Sequence, residues 1–188
     1  FNGDGTSDMM LRNAVSGAFE LYDINNNAIT AASSPGTVGI DWLVAGFGNF
    51  SSVPGETDML LRNILTGVFQ VYDISNNAIV SSSTLGTVGI DWQVAGFGPV
   101  SGTGHSDMVL RNITSGAFQV YDIANNQITA TASLGAVGLD WQVVGIAANS
   151  PPAAMGASSA SNSQLVQAMA GFGGDGGGTN SMTTVADP

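Results

Sequence analysis

Apolar and polar residues alternate with a period of two along most of the chain. Phe19, Leu21 and Asp23 alternate with Ala18, Glu20, Tyr22 and Ile24, and Gln70 and Gln119 stand later where Glu20 stands first. Side chains of a pleated strand point to opposite faces in turn, so this period reads as strand rather than helix. Val38, Ile40, Trp42 and Val44 alternate in the same way opposite Asp41 and Leu43. Asn-Asn pairs at Asn25 and Asn26, Asn76 and Asn77, and Asn125 and Asn126, together with glycines, supply the left-handed turn positions between such segments. The pattern predicts four short strands in the first fifty residues: 8–13, 18–24, 28–33 and 38–47.

The pattern then recurs. Asp-Met-x-Leu-Arg-Asn begins at Asp8, Asp58 and Asp107, and Gly-x-Phe-x-x-Tyr-Asp-Ile follows at Gly17, Gly67 and Gly116. Gly-x-Val-Gly-x-Asp-Trp follows at Gly36, Gly86 and Gly135, and an apolar run ending in glycine closes each unit. Three units result, 1–48, 49–98 and 99–147, and a self-similarity of this length signals a stacked-repeat architecture. Four antiparallel strands in about fifty residues is the size of a propeller blade, which cannot cover both of its faces alone. The expected fold is all-β: three β-propeller blades of four antiparallel strands, with Gly46, Gly96 and Gly145 allowing close approach between blades. A β-solenoid or a row of sandwich-like modules fits the same repeat. Residues 148–188 are rich in Pro, Ala, Ser and Gly and read as a flexible linker and tail, with a helical turn or two over 164–170.

Composition narrows the chemistry. Of 188 residues, 14 are acidic and 3 basic, a formal charge of −11 that has the wrong sign for nucleic acid or anionic lipid. The chain has no Cys, no Lys and one His, which removes thiol nucleophiles, Schiff-base lysines, disulfides and multi-His metal centres. There is no apolar run long enough to span a membrane. Phe1 falls inside a motif with no initiator Met, and a piece of a longer product is expected.

The opening residues, Phe1-Asn2-Gly3-Asp4-Gly5-Thr6-Ser7-Asp8, space oxygen donors two and four apart around glycines. Such a loop can wrap a hard cation: calcium takes six to eight oxygens at about 2.3–2.6 Å. Asn2, Asp4 and Asp8 are the candidate side-chain ligands, and Thr6 the candidate backbone carbonyl. A turn held by Asx hydrogen bonds alone uses the same residues.

This phrase, followed by the Leu-Arg-Asn strand, the Gly-x-Phe strand and the Trp-x-Val-x-Gly-x-Gly return, resembles the FG-GAP or VCBS-type repeats of secreted bacterial proteins. The resemblance covers all three units. It implies a propeller blade per repeat, loop-bound calcium, an extracellular or cell-surface location in a bacterium, and an adhesion or ligand-binding role. It also allows the tail to belong to a C-terminal region used for type I export. The family's pattern places an Asp before the Phe, a position ahead of Phe1. The second loop has Val53 near the place of Asp4, and the third has Ser101 and Thr103 in place of Asn2 and Asp4. Lost carboxylates weaken calcium binding, so at most one site is expected, in the first unit.

Arg12, Arg62 and Arg111 are the same residue three times over, and a bidentate structural contact to Asp23, Asp73 or Asp122 is expected of them. Trp42, Trp92 and Trp141, with Tyr22, Tyr72 and Tyr121, are candidate stacking platforms for sugar rings, although their alternation with Val and Ile favours core packing. His105 reads as a turn residue. The acids repeat in register rather than converging, so the two-carboxylate chemistry of glycoside hydrolysis is not expected and the chain reads as non-catalytic.

The leading expectation is an extracellular, calcium-dependent binding module for a surface ligand such as a glycan. Its rival is a structural subunit whose blades associate between chains to build an appendage or surface assembly. Closed propellers usually have four to eight blades. Three therefore call either for blades ahead of Phe1 or for a homo-oligomer, closed as six blades from two copies or open as a filament.

Overall fold

The computed structural model describes residues 1–147, and the expected tail over 148–188 lies outside the described residues. Among the described residues the fold is all-β, with eleven strands and no helix. The first sheet holds β1 (Met9–Arg12), β2 (Ala18–Asn25) and β3 (Ala28–Thr37). The second runs β4 (Trp42–Gly48), β5 (Asp58–Asn63), β6 (Val68–Ser75) and β7 (Ala78–Thr87). The third runs β8 (Trp92–Gly98), β9 (Asp107–Asn112), β10 (Ala117–Ala124) and β11 (Gln127–Ala136). Every pairing is antiparallel.

Local chemistry places the turns. Between β2 and β3, Asn25 pairs with Ala28, so the two-residue loop is Asn26 and Asn27, one position later than the Asn25 and Asn26 pair of the sequence reading. Both have positive φ, 49° and 61°, and the equivalent pairs at 76–77 and 125–126 match. Two successive left-handed residues make the turn whose twist suits a hairpin, and Asn tolerates that region better than other non-glycine residues.

The Trp strand departs from expectation twice. It starts at Trp42 and not at Val38, because Gly39 O accepts the Trp42 N–H at 3.0 Å and turns the chain, leaving Ile40 in solvent. Strand β3 instead continues to Thr37. The second departure concerns membership. β4, from the first sequence unit, pairs with β5 of the second, setting Val44 opposite Leu61 and Phe47 opposite Met59, and β8 pairs with β9 in the same way. Each four-stranded sheet therefore takes its first strand from one unit and three from the next. The first sheet has three strands, and residues 141–147, the third unit's Trp segment, are in no strand.

The sheets lie in a row with the second in the middle, and among the described residues no strand of the first touches a strand of the third. There is no closed ring among the described residues. Between the first and second sheets Phe19 packs with Met59, Leu61 and Ile74, flanked by Met10, Trp42 and Val44. Between the second and third, Phe50, Leu60, Phe69 and Val71 pack with Met108, Leu110 and Ile123, flanked by Val94, Phe97 and Tyr121. The second sheet is thus apolar on both faces. Leu60 faces one neighbour while Met59 and Leu61 face the other, so β5 shows a continuous buried run.

Candidate functional site

The first loop is a chain of Asx turns. Asn2 Oδ1 accepts the Asp4 N–H at 3.0 Å, and Asp4 Oδ1 accepts the Thr6 N–H at 2.8 Å and its hydroxyl at 2.6 Å. Asn2 Nδ2 donates to Asp4 Oδ2 at 3.2 Å. Hydrogen bonds from Thr6 hold the Asp4 carboxyl below the usual carboxylate range although it is exposed.

Asp8 is turned the other way. Its side chain is buried, one oxygen accepting the Phe1 amino group and the other the Ile24 N–H at 3.3 Å. Asp58 likewise accepts the Phe50 and Ser51 N–H groups at 2.8 and 2.7 Å, and Asp107 those of Ser101 and Ile123. Loops without counterparts of Asn2 and Asp4 therefore keep the same carboxylate on the same task, capping backbone donors that would otherwise be buried unpaired. Of the four nominated calcium donors, Asn2, Asp4 and Thr6 remain on the loop, with one carboxylate among them. That set falls short of the six to eight oxygens calcium takes, so these residues do not by themselves fit a strong calcium centre.

The arginines are architectural but not through aspartate. Arg12, Arg62 and Arg111 each donate Nη2 to the carbonyl of Gly39, Gly89 or Gly138 at 2.8–2.9 Å. Arg62 and Arg111 also donate to the carbonyls of Trp92 and Trp141, and each guanidinium lies over Phe19, Phe69 or Phe118 at 5.1–5.8 Å. A planar cation on an aromatic face with fixed carbonyl acceptors needs no anion nearby. Burial lowers the Arg62 pKa, opposed by the charge of Asp91.

The expected partners of those arginines are engaged elsewhere. Asp23 accepts Asn77 Nδ2 on both oxygens at 2.8 and 2.9 Å, and Asp73 accepts Asn126 Nδ2 at the same distances. Each pair latches one sheet to the next. A second latch lies within each four-stranded sheet, from Asn63 to Asp41 at 2.5 Å and from Asn112 to Asp91 at 2.6 Å. Sequence reasoning missed both latches, although Asn recurs at both positions in every unit.

Trp42 and Trp92 are half-buried against the two cores, while Trp141 is 67% exposed. Tyr72 and Tyr121 also pack against the cores, and burial raises the pKa of both phenols. Tyr22 belongs to the first sheet, where a hydrogen bond to Glu20 raises its pKa. Beside the Trp strands lie two clefts in register, of about 400 Å³ at Leu43, Arg62 and Gln93 and about 330 Å³ at Gln93, Arg111 and Gln142.

The two ends of the row differ from its interior. Met9 and Leu11 on β1 are 41% and 42% exposed, whereas their equivalents Met59, Leu61, Met108 and Leu110 are fully buried. At the other end Ile146 packs against Gly96 and Gly98, while Val144 is fully exposed. No family model, curated protein or solved structure matches the chain. The likeness to FG-GAP and VCBS-type repeats rests on the motif residues alone.

Proposed function

We propose that this chain is a non-catalytic structural module of an extracellular bacterial assembly, whose blade-like sheets work by stacking on further sheets. The observation that carries this reading is the face of Met9 and Leu11, exposed at one end while the same face is fully buried in both later sheets. Large apolar side chains set in register on an open sheet face form the kind of patch that marks an interaction surface. In the interior of the row the recurrent Arg, Asp and Asn residues are engaged in holding loops and sheets together, which leaves shape and edge chemistry as the working features. Light scattering on the full chain between about 1 and 100 µM tests it: the mass is expected to rise above 19.0 kDa. A chain that stays monomeric throughout would sink the reading.

A second reading, glycan binding, is supported by the two in-register clefts beside Arg62 and Arg111, where Gln93 and Gln142 offer hydrogen-bonding groups beside exposed apolar surface. Glycan-array binding that Gln93→Ala and Gln142→Ala both weaken would favour it. Calcium enters either reading only at Asn2, Asp4 and Thr6. With Asp8 held by backbone donors, binding there is expected at about 0.1–1 mM, the range of weak extracellular sites.

A further inference from the structure

We propose that a second copy of this chain docks head to tail, residues 141–147 of one copy adding to β1 of the next as the missing fourth strand of its first sheet. This rests on the assembly reading above and names its partner, strand and register.

Four features of the two ends match. The first concerns strand count: β5 and β9 each have a Trp strand on one side and a hairpin partner on the other, whereas among the described residues β1 pairs only with β2. The first sheet lacks a Trp strand, and residues 141–147 are a Trp segment without a sheet. An unpaired edge strand is a template for another chain.

Register comes next. In both complete sheets the Trp strand pairs through one pattern, Trp42 opposite Asn63, Val44 opposite Leu61 and Phe47 opposite Met59 in the second, and Trp92 opposite Asn112, Val94 opposite Leu110 and Phe97 opposite Met108 in the third. Carried to the ends, Trp141 falls opposite Asn13, Val143 opposite Leu11 and Ile146 opposite Met9 of the second copy. The exposed apolar residues of one end then meet those of the other.

The third feature is the latches. Asp41 and Asp91 hold Asn63 and Asn112, and Asp23 and Asp73 hold Asn77 and Asn126. Among the described residues the carboxylates of Asp122 and Asp140 have no hydrogen-bond donor, and neither side-chain amide nitrogen of Asn13 and Asn27 has an acceptor. The two unmatched carboxylates sit at the carboxyl-terminal end and the two unmatched amides at the other. Each Asn-Asp pair completes the repeating scheme when Asn13 meets Asp140 and Asn27 meets Asp122 of the preceding copy.

The fourth is glycine. A Cβ on Gly46 would come within 2.3 Å of the Phe97 ring of the next sheet, and one on Gly96 would meet Ile146 at 3.0 Å, whereas one on Gly145 would meet nothing within 4 Å. The third glycine lacks the neighbour the other two have. In the docked pair that neighbour is Phe47 of the second copy.

Among the described residues the two ends do not meet, because the second sheet separates the first from the third. The contact is heterologous, so two copies close into a ring or many propagate as a filament.

Cysteine pairing tests strand and register, since the chain has no native Cys. Leu11→Cys and Val143→Cys variants, both at exposed positions, are made separately, mixed and oxidised. A mixed disulfide is expected between them and not between Leu11→Cys and Val144→Cys, which stands where Ala45 and Ala95 form the bulge of their strands and have no partner on the facing strand. Gly145→Leu is expected to leave the monomer's melting unchanged and to reduce the mixed disulfide at least tenfold. A Leu11→Cys chain that cross-links to itself as fast as to Val143→Cys, in a sample that still associates, overturns this docking and leaves the assembly reading intact. A monomer with no cross-link at 100 µM overturns both, and assigns the edge of β1 to a further repeat of the same polypeptide.

Discussion

Leu11 and Leu61 occupy the same place in two successive repeats, one 42% exposed and the other fully buried, and the comparison turns packing into a measurable difference. Full burial of a leucine side chain is worth about 1.5–3 kcal/mol. Leu61→Ala forfeits that and leaves a cavity beside Phe19, Met59 and Ile74, for a total of about 3 kcal/mol. Leu11→Ala forfeits about half the transfer term and encloses no cavity, so about 1 kcal/mol is expected in the isolated chain. Fraying of the three-stranded end sheet lowers that figure further, because a local opening contributes little to the global transition. Urea denaturation at about 1 µM, with the slope against denaturant unchanged, reads both losses. At about 100 µM the Leu11→Ala loss is expected to grow toward that of Leu61→Ala, since docking buries Leu11 and mass action adds the association energy to stability. Equal losses for the two variants at 1 µM would refute the assignment of Leu11 to an open face. A Leu11→Ala loss that does not change with concentration would refute its burial on association.

Gly46→Ala should lower the melting temperature sharply while Gly145→Ala leaves it unchanged, because only the first drives a Cβ into an aromatic ring; differential scanning calorimetry separates them. Asn126→Ala removes the donor that Asp73 holds at 2.8 and 2.9 Å and leaves a buried carboxylate with the Ser81 hydroxyl as its remaining side-chain donor, at a cost of about 1–3 kcal/mol by chemical denaturation. The Asp4 carboxyl lies below its ordinary value, so the first loop's order is present above the unfolded carboxyl range and is lost as pH falls through the lower folded value. The Thr6 amide resonance should follow that titration, and Asp4→Asn should abolish it. Adding about 1 mM calcium should shift resonances of Asn2, Asp4 and Thr6 and leave those around Asp58 and Asp107 unmoved.

The strands, the repeat and the apolar faces were legible in the sequence because each is local. Alternation with period two reports which side of a pleat a residue occupies, and an Asn pair reports a turn, without reference to anything distant. The mutual embrace of Arg12 and Phe19 was invisible for the opposite reason: a guanidinium is satisfied by any well-placed carbonyl, and the Gly39 carbonyl lies 27 residues away. Asp8 looked like a metal ligand because its spacing from Asn2 and Asp4 suits one. Its burial and its bond to the Ile24 N–H, 16 residues on, are set by the docking of β2 beside β1. Sheet membership was the largest matter left to tertiary structure. The Trp strand has the same alternation whether it closes its own repeat or opens the next, and its hydrogen bonds run to a neighbour that no periodicity names. Pairing β4 with β5 is what leaves, among the described residues, the first sheet with three strands and the third unit's Trp segment without a sheet, since backbone donors and acceptors on a sheet edge are satisfied only across space.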